Sequence, residues 1–226
     1  NGFLTDLAGN RNVDGSDTNN RVQIAVDTKL PTLTISSTPS ALKVGETAAV
    51  SFAVSESTTN FQVDDIIVTG GSLSGFSGTG TQYSAVFTPS AESTTTAQLA
   101  VGADKFSDAA GNPNSLANLT LPVDTQRPTV SVSADKTSLQ AGEVANLTFT
   151  LSEAALSLDL TKLQVSGGSI SALTGSGVTR RAVFTPTAQS LGTATLVLGN
   201  GFMTDTAGNL NVDGADTDNA LSIPFQ

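Results

Sequence analysis

Apolar side chains in this chain alternate with polar ones at a period of two. Ala48, Val50, Phe52 and Val54 form one such row, and Ala145, Leu147, Phe149 and Leu151 form its counterpart. A later row, Ala97, Leu99 and Val101, is matched by Ala194, Leu196 and Leu198. A last row, Leu119, Leu121 and Val123, is matched by Leu221, Ile223 and Phe225 and, near the start, by Val22, Ile24 and Val26. Alternation puts every second side chain on one face, so each row predicts a half-buried β-strand. Gly-Gly pairs, prolines and Ser/Thr runs break the rows at intervals of roughly 8 to 12 residues, and no useful stretch has a 3.6 period, which predicts an all-β chain.

The rows are copies of one pattern. Pro31 recurs as Pro128, Gly45-Glu46 as Gly142-Glu143 and Ser55-Glu56 as Ser152-Glu153, each 97 positions apart. Gly70-Gly71 and Gly167-Gly168, Phe87 to Pro89 and Phe184 to Pro186, and Asp108 and Asp205 keep the same offset. About seven short antiparallel strands in a unit of this length predict an immunoglobulin-like β-sandwich, built twice in tandem. The first 20 residues match residues 200 to 219 at 15 of 20 positions. Residues 1–26 are therefore expected to be the long loop and last strand of a preceding repeat, with repeats at 27–123 and 124–226. Both ends are expected to be cuts in a longer array.

Composition then narrows the chemistry. The net charge of −10 argues against nucleic acid, because phosphate contacts need a basic face. Cysteine, histidine and tryptophan are absent, which removes thiol nucleophiles, Cys/His zinc sites and His-based acid–base schemes. Ser and Thr are abundant but have no base to activate them, so the chain is not expected to be an enzyme. No apolar run approaches the roughly 18 residues of a spanning helix, and no insertion of this segment into a membrane is expected. The aspartates outnumber the glutamates 15 to 5, and short carboxylates suit loops that gather oxygens around a hard cation.

Strand order says where those carboxylates meet. In an immunoglobulin-like sandwich the chain enters at the pole that carries the second-to-third and sixth-to-seventh strand loops. Glu56 closes the second strand, Asp108 and Asn112 lie in the loop before the last strand, and Asp27 precedes the first strand. Asp124, Glu153, Asp205 and Asn209 take the same places in the second repeat. Three carboxylates at about 5 Å repel by a few kcal/mol per pair, and Ca²⁺, which takes 6 to 8 oxygens, is the structural cofactor that would offset this. The alternative makes the glutamates solvated loop residues and the aspartates turn formers, with Gly111 and Gly208 at positive φ.

A second candidate is Asn10-x-Asn12-x-Asp14-Gly15-x-Asp17, repeated as Asn209-x-Asn211-x-Asp213-Gly214-x-Asp216, with Asp6 just upstream. Its alternating oxygens resemble the first half of an EF-hand loop, but Arg21 and Ala220 replace the closing glutamate. A turn-rich connection accounts for the same residues.

The ordered set of VDTxxPT, GE, SE, GG, FTP and DxAGN resembles the bacterial Ig-like repeats of large RTX and biofilm-associated surface adhesins exported by type I secretion. The resemblance implies an extracellular extender on the bacterial surface, calcium-stiffened at its linkers. Its partners would be adjacent repeats of the same chain, with a surface or host ligand bound elsewhere in the full protein. It also carries an aspartate at the position of Asp65, where the second copy has Lys162. A different class, a glycan- or host-protein-binding module using loops at one pole, would need exposed aromatics or a polar cluster unique to one repeat. Tyr83, the sole tyrosine, has Arg180 as its counterpart.

Overall fold

The computed structural model describes residues 2–13, 21–212 and 217–226. The apolar rows of the two repeats become strands, and the chain is all-β, as the alternation predicts. In the first sandwich these are β1 (Leu33–Thr38), β2 (Leu42–Lys43), β3 (Ala48–Thr58), β4 (Ile66–Thr69), β5 (Gly71–Pro89), β6 (Ala97–Val101), β7 (Ala117–Leu121) and β8 (Val123–Asp124). One sheet runs β1-β3-β5 and the facing one β4-β6-β7, while β2 leaves the first sheet to pair in parallel with β8. This switching of the first strand between sheets is the immunoglobulin-like arrangement.

The second sandwich repeats the plan with β9 (Val130–Ala134), β10 (Ala145–Leu151), β11 (Ala155–Leu158), β12 (Leu163–Ser166), β13 (Gly168–Ile170), β14 (Thr179–Pro186), β15 (Gly192–Leu198), β16 (Met203–Asp205) and β17 (Ala220–Phe225). Its sheets run β13-β14-β10-β9 and β12-β15-β17, with β11 and β16 paired beside them. A parallel bridge from Leu139 to Phe225 stands where β2 meets β8 in the first sandwich.

Each sandwich has its own core. Phe52, Phe87, Leu99 and Leu121 lie in the first, and Phe149, Phe184, Leu196 and Ile223 in the second, all at 1% exposure or less. The repeated Gly-Gly and Phe-Thr-Pro strings prove to be one packing device. A Cβ on Gly71 would lie 2.3 Å from the Thr88 carbonyl, and one on Gly168 would lie 2.3 Å from that of Thr185. The Phe87 and Phe184 rings press on the same two points, so the strands approach only where a side chain is missing.

The cores are filled differently. The first holds Phe52, Phe61, Phe76, Tyr83 and Phe106 in ring contacts of 5.0 to 5.9 Å, and the Tyr83 hydroxyl donates to the Thr58 carbonyl at 3.1 Å. Burial pushes that hydroxyl above its ordinary pKa. In the second the ring contact is Phe149 with Phe202 at 6.2 Å.

Residues 21–32 form no strand, and Val22, Ile24 and Val26 are 77 to 83% exposed. Their alternation predicts a final strand, but a strand exists only against a partner's backbone, and among the described residues no strand pairs with residues 22–26.

Phe184→Ala is expected to cost about 3 to 5 kcal/mol in the second sandwich. Because the two cores share no residue, native-state hydrogen exchange should show faster opening at Leu196 and unchanged exchange at Leu99.

Candidate metal centre

The site grows from a loop that folds on itself. In Asp-x-Ala-Gly-Asn, the Asp108 Oδ1 accepts from the backbone N–H of Ala110 and of Asn112, both at 2.9 Å, and the Asn112 Nδ2 donates to Asp108 Oδ2 at 2.9 Å. Gly111 closes the turn at φ +91°. Asp205 and Asn209 form the same ring of bonds at 2.8 Å, with Gly208 at +92°. Asp6, Ala8 and Asn10 form it again at 2.9 Å, with Gly9 at +85°. The asparagine side chain and the loop amides together hold the Asp6 and Asp108 carboxyl groups below their ordinary range.

The Ser-Glu pair, late in β3 and just after β10, supplies the next side chain. Ser55 donates its N–H to the Thr32 carbonyl and accepts the Thr32 N–H on Oγ, each at 2.9 Å. Ser152 does the same with Thr129 at 3.0 and 2.9 Å. The serine thus pins the incoming chain to the end of the strand, and the following glutamate faces the loop. The linker aspartates Asp27 and Asp124 cap their own turns through Lys29 N and Gln126 N, at 3.1 and 3.2 Å.

These placements bring together Asp27, Glu56 and Asp108, and separately Asp124, Glu153 and Asp205. In each trio one carboxylate oxygen per residue lies within 4.8 Å of the others. Two oxygens on opposite sides of a Ca²⁺ ion, each at about 2.4 Å, are separated by the same span. At an effective dielectric of 20, charges at 4.8 Å repel by about 3 kcal/mol per pair, less where water reaches them.

The two trios are balanced differently. Lys29 stands 3.4 Å from Glu56 Oε1, an oxygen that is shut off from solvent and accepts no hydrogen bond. In the second sandwich Gln126 takes the place of Lys29, and among the described residues no ion pair reaches the trio. Glu153 is pushed above the ordinary carboxylate range by burial and then by Asp205 and Asp124. Asp124 is pushed up by burial and then by Asp205. A sealed, unbonded oxygen and two carboxyl groups made reluctant to ionise are what a polyvalent cation would relieve, so the residues fit the ion.

Asn112 and Asn209, also expected as ligands, use their side-chain amides to hold the linker. Asn112 Nδ2 donates to the Asp27 carbonyl at 3.1 Å, and Asn209 Nδ2 donates to the carbonyls of Asp124 at 3.0 Å and Gln126 at 3.2 Å. Asn209 Oδ1 is taken by the Val44 N–H of the first sandwich at 2.8 Å. Both asparagines are clamps on the linker backbone. The second asparagine of the EF-hand-like pattern, and its counterpart in the middle copy, have a bracing use. Asn114 Oδ1 accepts from Lys105 and Phe106 at 2.7 and 2.9 Å, and Asn211 Oδ1 accepts from Met203 at 2.8 Å, so these carboxamides brace the base of the loop. Asn12 accepts from Leu4 at 3.0 Å in the same way.

Asp14, Asp17, Asp213 and Asp216 lie outside the described residues, and Asp6 joins no trio of acids among those described. Asp65 Oδ2 caps a turn through Gln62 N at 2.8 Å, and Asp159 does this through Thr161 N at 3.0 Å in the second sandwich, which frees position 162 to be lysine. Sequence reasoning missed Thr125, whose hydroxyl donates to the Ser90 carbonyl at 2.6 Å and accepts the Ser93 N–H at 3.0 Å. Its signal was the repeated Asp-Thr of the linker.

Two tandem sandwiches with a carboxylate trio at each linker pole define a modular, repeat-built β-protein. The bacterial Ig-like domain family matches residues 27–121 and 124–223, and the chain belongs to that family. Among solved structures it is similar to FdeC, an adhesin of Escherichia coli, with 16% identity and a TM-score of 0.51 over 86% of this chain. It is also similar to the adhesin InvE of Yersinia pseudotuberculosis, with 15% identity and a TM-score of 0.34 over 86% of this chain. The chain spans 64% and 58% of the lengths of those two. At these identities the likeness to FdeC is one of fold. No curated protein matches the chain in sequence.

A carboxyl group with a raised folded pKa binds more protons folded than unfolded, so ion-free stability falls as pH rises through its titration range. In chelator, Glu153→Gln is therefore expected to raise the melting temperature near neutral pH, with the gain vanishing below about pH 4 where the glutamate is neutral in both states. Calorimetry across that range checks it, and a loss of stability at neutral pH would contradict the repulsion.

Proposed function

We propose that this chain is an extender segment of a bacterial surface adhesin, a spacer whose job is length and stiffness, with calcium drawing each linker onto the sandwich that follows it. In this reading the units are 27–123 and 124–226, and residues 1–26 correspond in sequence to the closing loop and last strand of a unit. The adhesin belongs to the large type I-secreted, RTX or biofilm-associated kind, works outside the cell, and carries its adhesive surface elsewhere.

One observation carries the proposal. Each carboxylate trio takes one member from the linker and two from the sandwich body. Asp27, Glu56 and Asp108 would hold one ion, and Asp124, Glu153 and Asp205 the other. A bound Ca²⁺ supplies positive charge and multiple oxygen coordination at the point where the chain would otherwise swivel. The protein's own groups do the rest. Ser55 and Ser152 fix where the linker lands, Asn112 and Asn209 grip its carbonyls, and Pro31 and Pro128 restrict its φ. The chain has no histidine or cysteine, and no reaction is proposed for it. No helix among the described residues is long and apolar enough to cross a membrane.

Extracellular calcium modules bind at about 10⁻⁴ to 10⁻³ M, and an ion at 100 times its Kd stabilises by about 2.7 kcal/mol. Millimolar Ca²⁺ should accordingly raise the melting temperature and lengthen the particle in small-angle scattering, both reversed by chelator. Asp205→Asn should abolish the response of the second sandwich and leave that of the first. Identical melting and scattering with and without calcium would remove the ion from the proposal.

A further inference from the structure

The first sandwich receives the second through a defined face. Its Leu42–Glu46 turn, with Pro122, Val123 and Asp124, lines a groove of about 180 Å³ that Ala207 of the second sandwich enters. Beside it the Val44 N–H donates to Asn209 Oδ1 at 2.8 Å. Gly208 lies so close that a Cβ there would be 3.2 Å from Lys43 Nζ. The loop residues making this contact are the Ala, Gly and Asn of Asp-x-Ala-Gly-Asn. The contact gives the small Ala and Gly of the string a second use, beside the turn that Asp and Asn close.

The second sandwich carries the same face at its far pole. Ser138, Leu139, Gln140, Pro224, Phe225 and Gln226 line a groove of about 190 Å³, and position by position they are the counterparts of Ala41, Leu42, Lys43, Pro122, Val123 and Asp124. The turn above it is built alike. Gly142 stands at φ +81° where Gly45 stands at +79°, and Glu143 Oε2 accepts from Gln140 N at 3.0 Å as Glu46 Oε2 accepts from Lys43 N at 3.1 Å. Ala141 is the counterpart of Val44. The groove opens onto a wider apolar one of about 680 Å³ that includes Thr187 to Leu191, beside Gln226. In the first sandwich the corresponding loop, at Ser90 and Ser93, holds the linker hydroxyl of Thr125.

We propose that this far pole is a receiver for the linker pole of another bacterial Ig-like repeat. The small groove would take the Ala-Gly of its Asp-x-Ala-Gly-Asn loop, the Ala141 N–H its asparagine, and the wide groove its linker threonine. The proposal deepens the extender reading and rests on it for the stacking of repeats, but it needs no ion. Gln226 brings an uncharged amide to the position that Asp124 fills at the first junction, so this latch works by shape and hydrogen bonding.

The test is amide hydrogen exchange, in chelator, on the full chain extended after Gln226 by a second copy of residues 125–226. In the unextended chain the Val44 amide should exchange about tenfold more slowly than that of Ala141, the scale of one net hydrogen bond. Extension should slow Ala141 to match Val44, and Asn→Ala at the Asn209 position of the added copy should return it to its original rate. Fast exchange at Ala141 while the added copy's core amides are protected would overturn the proposal. If the added core is unprotected, isotopically labelled chain is mixed with unlabelled chain up to about 1 mM, the effective concentration a short tether provides. Shifts at Gln140 and Ala141 that disappear with Asn10→Ala/Asn112→Ala chain support the receiver, and their absence overturns it. Repeating the exchange in calcium separates the two ideas, since protection at Ala141 with no calcium dependence at Val44, at the junction that carries Asp124, keeps the latch and discards the ion.

Discussion

An aspartate that accepts hydrogen bonds from its own loop, and an asparagine that returns one to it, hold each pole of this molecule in shape. The ring formed by Asp205 and Asn209 needs only five residues and a glycine at positive φ, so it closes without help from the sandwich. The same ring at Asp6 and Asn10 forms in a segment that packs against neither core. Because the loop is rigid by itself, its free edge can be used for something else. In the second sandwich that edge grips two linker carbonyls on one side and the preceding sandwich on the other.

Rigidity at the pole creates an electrostatic problem. Fixing Asp205 by hydrogen bonds prevents it from swinging away from Glu153 and Asp124, and burial strengthens the repulsion among the three. The first pole eases this with Lys29 beside Glu56, whereas the second has glutamine in the same place. One fold therefore carries two junctions of unequal charge balance. The hydrogen bonds that hold the linker, from Ser152, Asn209, Arg127 and Thr125, do not depend on how that charge is met.

The cores show how loosely the interior is constrained by comparison. Five aromatic rings pack the first, with Tyr83 among them, while Arg180 replaces that tyrosine in the second, where Leu147, Leu198 and Met203 lie fully buried. The alternating pattern is kept while the side chains change, which is what hydrophobic packing permits. The Gly-Gly over phenylalanine is kept in both, since backbone contact leaves no room for substitution.

Much of this was legible from the chain alone. Period-two alternation needs only neighbours in sequence, and the 97-residue spacing of Pro31, Glu56 and Asp108 with Pro128, Glu153 and Asp205 set out two sandwiches and grouped the carboxylates. The final strand expected at Val22 to Val26 did not follow, because a strand is defined by a partner that local pattern cannot supply. The roles of the asparagines were also hidden. An amide offers both a donor and an acceptor, and which it uses is decided by what a distant segment places within about 3 Å. For Asn209 that segment is Val44, 165 residues away in sequence, and only the assembled tandem brings the two together.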